Sequence, residues 1–137
     1  MSANAANVLE IAAAVVSDPE GRLLLVRKHN TSFYMQPGGK IDAGETALEA
    51  LCRELNEELG LTVNSDQLSP LGLFTAPAAN EPDTMLEAHL FSLVIDTKAG
   101  VPVEATAEIA EAIWVTREEA WQLPLAPLTK EYVVVNH

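Results

Sequence analysis

Three glutamates, Glu54, Glu57 and Glu58, stand at i, i+3 and i+4, directly after Arg53. At about 100° per residue they share one arc of a helix, with Arg53 at its border. Carboxylates so crowded repel one another and cost stability unless positive charge sits among them. Arg53, four residues before Glu57, can hold one of them; a divalent cation could hold the others. Oxygen ligands of this kind suit Mg²⁺ or Mn²⁺ better than zinc, which favours His and Cys. The competing reading is a solvated, glutamate-rich helix face.

The surrounding residues decide between the two. Thr46 and Glu49 have capping-box spacing, so the sequence predicts a helix starting near Thr46. Gly60 stands where a left-handed residue closes a helix. Leu48, Leu51, Cys52, Leu55 and Leu59 form the apolar arc beside the acidic one. Upstream, Pro37-Gly38-Gly39 reads as a turn whose backbone can approach a ligand closely. Glu45 opens the helix, where a carboxylate is favourable against the dipole whatever the function, and is read as structural or as a support behind the ligands. Fixed glycines, Glu45, Arg53 and the glutamates must all coincide across GKIDAGETALEALCRELNEELGL, Gly39–Leu61. From average usage the chance is on the order of 10⁻⁷. A merely solvated face does not explain it.

These residues resemble the signature of the Nudix hydrolases, with every constrained position of the family pattern filled. The resemblance is most specific over Gly39–Leu61 and extends loosely to Leu23–Arg27 and Gln36–Gly39 upstream and to Trp114 downstream. It implies a loop–helix–loop that binds Mg²⁺ and cleaves a nucleoside diphosphate linked to another moiety. The implied metal ligands are the Gly39 carbonyl, Glu54, Glu57 and Glu58. Glu57 or Glu108 would be the base, with Glu111 behind Glu108, and Arg53 would orient the glutamates. The implied fold is α+β, an α/β/α sandwich with a mixed sheet between helices.

Composition bounds the rest. With 137 residues, 48% apolar and 20% charged, the chain reads as one globular domain spanning 1–137. A net charge of −12 argues against nonspecific binding of nucleic acid or anionic membranes. It also opposes an anionic phosphate substrate unless cations neutralise the pocket, which the metal reading supplies. Cys52 is the only cysteine, read as a small core residue. Neither a signal peptide nor a membrane-length apolar run is seen, so the expected setting is the cytoplasm. A small nucleotide is the expected partner; oligomeric state is left open, a homodimer included.

Along the chain, Met1–Asn7 reads as frayed and Val8–Val16 as a central strand. A turn at Ser17–Gly21 leads to Arg22–Lys28 as its hairpin partner. Phe33–Gln36 is extended, Leu61–Val63 a brief strand, and Pro70–Ala76 another. Pro77–Asp83 is a surface loop. Thr84–Thr97 reads as a central strand covered on both sides. Lys98–Pro102 turns the chain, Ile113–Val115 is a short strand, Thr116 caps a helix Arg117–Leu123, and Thr129–Val135 is a helix or a strand.

Arg27, Lys28 and Lys40 are candidates to meet phosphates. Phe33, Tyr34 and Phe74 could stack on a base. His29, His89 and His137 lack metal-ligand spacing. LPLAPLTKEY offers no asparagine before Asn136 to read an oxidised guanine, as the enzymes clearing such nucleotides have. Pro77 stands where ADP-ribose hydrolases carry a proline. Ala78 and Ala79 occupy the place of a tyrosine linked to dinucleoside-polyphosphate cleavage, and no coenzyme A motif is apparent. A nucleoside triphosphate is therefore the expected substrate, an ADP-ribose or nucleoside-diphosphate sugar the alternative. A non-catalytic nucleotide-sensing module is the reading from another class. Pro77–Asp83 and Leu123–Thr129 hold few side chains able to bond a base edge. Discrimination among bases is therefore expected to stay within about a hundredfold.

Overall fold

The computed structural model describes residues 7–97 and 103–135. The expected turn at Lys98–Pro102, most of the N-terminal stretch, Asn136 and His137 lie outside them. The ordered elements are β1 (Asn7–Ser17), β2 (Leu23–Lys28), β3 (Gly38–Lys40), α1 (Ala47–Leu59), β4 (Ser69–Pro77), β5 (Thr84–Val94), β6 (Ile109–Val115) and α2 (Arg117–Ala120). A π-helical turn at Thr129–Val134 follows. That resolves the last segment as helical.

The strands form one mixed sheet in the order β4-β5-β1-β2-β6, with β3 also paired to β1. The central pair, β1 and β5, is parallel along its whole length, from Asn7↔Thr84 to Ser17↔Val94. A parallel pair of this kind is covered on both faces, and the alternation of side chains records it. Ala12, Ala14, Val16, Phe91 and Leu93 face α1. Ile11, Ala13, Ala88 and Leu90 pack on the opposite layer with Leu128. Val15, Leu23 and Leu25 meet Ala120, Val133 and Val134 on that side. The α+β sandwich implied by the resemblance is the one observed.

Helix α1 forms for the local reasons expected. Thr46 Oγ1 accepts from Glu49 N, Glu49 Oε1 accepts from Thr46 N, and Gly60 closes the helix at φ 67°. The carbonyls of its last turn, unpaired within the helix, are met by the segment after β5. Glu104 N donates to Leu59 O at 3.1 Å, Thr106 N to Glu58 O at 2.9 Å, and Thr106 Oγ1 to Glu57 O. The same segment then delivers Glu108.

Several expectations change. The hairpin of β1 and β2 pairs only at Ser17↔Leu23, because Tyr34–Pro37 wedges between the strands. Met35 exchanges bonds with Val26, and Pro37 O accepts from Ala14 N. Most of β2 pairs instead with β6, which begins at Ile109 and so is longer than Ile113–Val115. Gly38–Lys40 is a short strand, not only a turn. Leu61–Val63 is not a strand: Leu61 is buried in the core with the apolar residues of α1, and Val63 packs against that cluster. Strand β5 ends at Val94 and α2 at Ala120, the chain turning rather than spiralling on to Leu123.

The buried side of α1 is also rotated from the expected arc. Leu51, Leu55, Leu59, Ala50 and Glu58 are buried, while Leu48 and Cys52 are only partly covered. Burial still pushes the Cys52 thiol pKa up, in keeping with an unreactive packing role. Leu55 has no exposed surface. Leu55→Ala is expected to cost about 2–5 kcal/mol, read as a lower urea midpoint at unchanged slope.

Candidate active site

The rotation of α1 sets the three glutamates in three environments. Glu58 is 2% exposed and turns into the protein, where Gly38 N donates to its Oε1 at 3.2 Å. Burial pushes its carboxyl up to about 8, with the Gly38 bond opposing and the charges of Glu54 and Glu108 adding to it. Glu54 is mostly covered and lies against Gly39. Its carboxyl is likewise raised, first by burial, while Arg53 opposes. Glu57 is half exposed and pairs with Arg53 at 2.8 Å.

Arg53 ties the group together. Its Nε and Nη2 donate to both oxygens of Glu45, at 2.8 and 2.9 Å, a fork-to-fork pair. Its Nη1 donates to Glu57 and Glu54, and its Nη2 to the Lys40 carbonyl at 3.1 Å. Glu45 thus holds the guanidinium that holds the glutamates. Arg53 and an N–H from Asp42 lower its carboxyl to about 2. Holding Arg53 is the supporting role the sequence allowed for Glu45, though capping arguments see only the helix end and not the guanidinium eight residues on.

The two glycines have separate reasons. A β-carbon on Gly39 would stand 2.5 Å from Cδ of Glu54. One on Gly38, where φ is 147°, would stand 2.6 Å from Cα of Ala13 in the neighbouring strand. Gly39 therefore makes room for a carboxylate, Gly38 for backbone.

Beside these residues opens a cavity of about 460 Å³. Gly39, Glu54, Glu108, Lys28 and Lys40 line it where it meets α1, and Leu9, Ile11, Leu86 and Leu128 are among its apolar walls. The loop after β4 contributes Pro77, Ala78, Ala79, Asn80 and Glu81. A bulge between Arg27 and Lys28 in β2 brings Lys28 Nζ within 3.7 Å of Glu108. Ala107, just before Glu108, holds φ 55°, an uncommon conformation outside glycine.

Other candidates lie elsewhere. Glu111 accepts from Tyr34 Oη at 2.7 Å and from Arg27 at 2.9 Å, a closed network that does not line the cavity. Those bonds lower its carboxyl, and they commit Arg27 as well. None of the three aromatics lines the cavity: Tyr34 serves Glu111, and Phe74 packs on Tyr132 with ring centres 4.9 Å apart. His89 is paired with Glu10 on the sheet surface. Among the described residues, no three His, Cys, Asp or Glu side chains converge on one point, since Glu57 turns to Arg53 and Glu58 to Gly38. Two features escaped the sequence. One is the reach of Arg53 to Glu45. The other is Gln36, a buried polar side chain in the cavity wall.

The chain matches the NUDIX domain model over residues 9–134. It is 30% identical to an 8-oxo-dGTP diphosphatase of Haemophilus influenzae, covering 87% of this chain and 85% of that one. It is also 30% identical to a CTP pyrophosphohydrolase of Escherichia coli, covering 88% and 84%. The solved MutT protein of Methanosarcina mazei Go1 shares the fold, with TM-score 0.75 at 20% identity over 96% of this chain and 93% of that one. The Nudix domain of Shewanella oneidensis NrtR, solved with ADP ribose, gives 0.74 at 17%, covering 91% and 83%. Members of this family generally use divalent metal ions. Among the described residues no helix is long and apolar enough to cross a membrane. With the signature helix capped at both ends, Glu54 and Glu57 paired to one arginine and the domain matched almost end to end, the chain belongs to the Nudix hydrolases and is a pyrophosphohydrolase.

Proposed function

We propose that the protein is a Mg²⁺-dependent pyrophosphohydrolase, with Mn²⁺ able to substitute, acting on a nucleoside triphosphate at an internal phosphoanhydride in the cytoplasm. The observation that carries this reading is Glu54 lying against Gly39 at the mouth of a nucleotide-sized cavity. Glu54, Glu57, Glu58 and the Gly39 carbonyl would hold the metal. The residues fit it in kind: the donors are all oxygens, and Glu54 and Glu58 are carboxylates largely covered by protein, where a charge calls for a counter-ion. A divalent cation held there would supply polarisation of the phosphoryl oxygens and offset the charge on the leaving group.

The chain's own groups do the rest. Lys28 and Lys40 meet the phosphate charge. Glu57 or Glu108, both substantially exposed, takes the proton from the attacking water. Arg53 fixes the glutamates, held in turn by Glu45. The triphosphate reading is favoured by the relatives named for 8-oxo-dGTP and CTP, which match along most of their length. The relative named an ADP-ribose pyrophosphatase, from Methanocaldococcus jannaschii, is matched over only 47% of its length. Pro77 in the cavity wall keeps that second reading in view.

Nucleoside monophosphate formation from nucleoside triphosphates, nucleoside-diphosphate sugars, ADP-ribose and dinucleotides, with and without Mg²⁺, tests the assignment. Triphosphates should lead in kcat/KM. A faster ADP-ribose or sugar nucleotide selects the alternative, and no turnover of any of them selects the sensing module.

A further inference from the structure

Gln36 is 6% exposed, and it is the one polar side chain that is both buried and in the cavity wall among the described residues. Its neighbours there include Met35, Ala126 and Leu128, all apolar. Its carbonyl oxygen is taken: the hydroxyl of Thr129, itself fully buried in the C-terminal π-helical turn, donates to Oε1 at 2.7 Å. Nothing among the described residues accepts from its Nε2, and no buried side-chain nitrogen there is left without a partner. The amide nitrogen therefore reaches the open space of the cavity.

A primary amide fixed through its oxygen presents only donors. Buried polar groups are kept where they are matched, and this one has its match on one side only. Beside Met35, Ala126 and Leu128, a presented N–H₂ calls for an acceptor on whatever fills the cavity, and on a base that is an exocyclic carbonyl oxygen or an unprotonated ring nitrogen. Lys28, Lys40 and Glu54 lie where the phosphates would bind, which leaves the base for the apolar walls. We propose that Gln36, oriented by Thr129, donates to an exocyclic carbonyl oxygen of the substrate base. The substrate class is then nucleotides of guanine, cytosine, uracil or thymine; adenine carries an amine in place of the carbonyl and could meet this donor only through a ring nitrogen. This rests on the nucleotide reading above and narrows it.

Two variants test it. Gln36→Leu keeps the approximate volume and removes the donor. Thr129→Val keeps the shape and frees the amide to turn. In the wild type, at least one of GTP, CTP and UTP should exceed ATP in kcat/KM by about tenfold or more, the worth of one net hydrogen bond. Gln36→Leu should bring that nucleotide down about tenfold, mainly through KM, and leave ATP within about threefold, on the same basis. Thr129→Val should narrow the preference in the same direction by a smaller factor. Equal losses for all four nucleotides, or a wild type that prefers ATP, would overturn the proposal. Binding of GMP, CMP, UMP and AMP by calorimetry reads base selection without turnover. If no triphosphate is hydrolysed but the carbonyl-bearing monophosphates bind more tightly and Gln36→Leu abolishes the difference, the hydrolytic reading fails and the base reading stands. Should the monophosphates bind alike, the base reading fails by itself. Thermal melts confirm that each variant is folded, and either variant alone decides the direction.

Discussion

Glu58→Gln is expected to lose about 10²–10⁴-fold in kcat and yet, stripped of metal, to melt above the wild type near pH 8. The two effects share one cause. The Glu58 carboxylate is buried with a single N–H for company, so its charge is costly to the fold and available to a cation. Its folded pKa of about 8 lies above the ordinary carboxyl value of 4.5. Between those values the folded state holds more protons than the unfolded state, so stability falls as pH rises through that window. Wild-type protein in chelator should therefore lose melting temperature from pH 5 to pH 8, and Glu58→Gln should lose less. Glu57→Gln should match the loss of kcat without the gain in stability. Glu57 is half exposed and gives up its pairing with Arg53. Melting curves beside steady-state rates check both, and a Glu58→Gln enzyme with wild-type kcat would remove Glu58 from the site.

Adjacent glycines should fail in different ways. Gly39→Ala drives its β-carbon into the Glu54 carboxylate, the free end of a side chain that can swing aside. The fold should survive, but the carboxylate moves by about an ångström, and displacements of that size cost about a hundredfold in rate. Gly38→Ala meets the backbone of Ala12 and Ala13 at a φ of 147°, where nothing can swing. It should lose stability first, by about 1–3 kcal/mol or more from backbone strain, with activity following the folded fraction. Urea titration with parallel rate measurements separates the two. A folded, fully active Gly39→Ala would show that Glu54 need not stand where it does.

Why some of this was legible in the sequence follows from range. Thr46, Glu49 and Gly60 act within one or two turns of their own helix, so spacing alone locates α1. The alternation in β5 reports burial on both faces because neighbours on both sides impose it. Other features depend on contacts between distant segments. The pairing of β2 follows from Tyr34–Pro37 entering between β1 and β2, and no local pattern announces that wedge. Glu54, Glu57 and Glu58 look alike on a helical wheel, yet Gly38 and Arg53 give them three different fates. Glu108 and Glu111 are both near Trp114, but Glu108 sits in the turn before β6, beside Lys28 at the bulge, and only it lines the cavity. Gln36 carries no periodic signal, since its partner Thr129 lies 93 residues away.

Metal-dependent cleavage at an internal phosphoanhydride is assigned to Glu54 and Glu57, held by Arg53, and to Glu58, held by Gly38. Chromatographic analysis of the first products from a nucleoside triphosphate, run in Mg²⁺ and in excess chelator, is the decisive measurement. Nucleoside monophosphate and pyrophosphate are expected in Mg²⁺, with no turnover in chelator. Orthophosphate as the first product, or undiminished turnover in chelator, would refute the assignment.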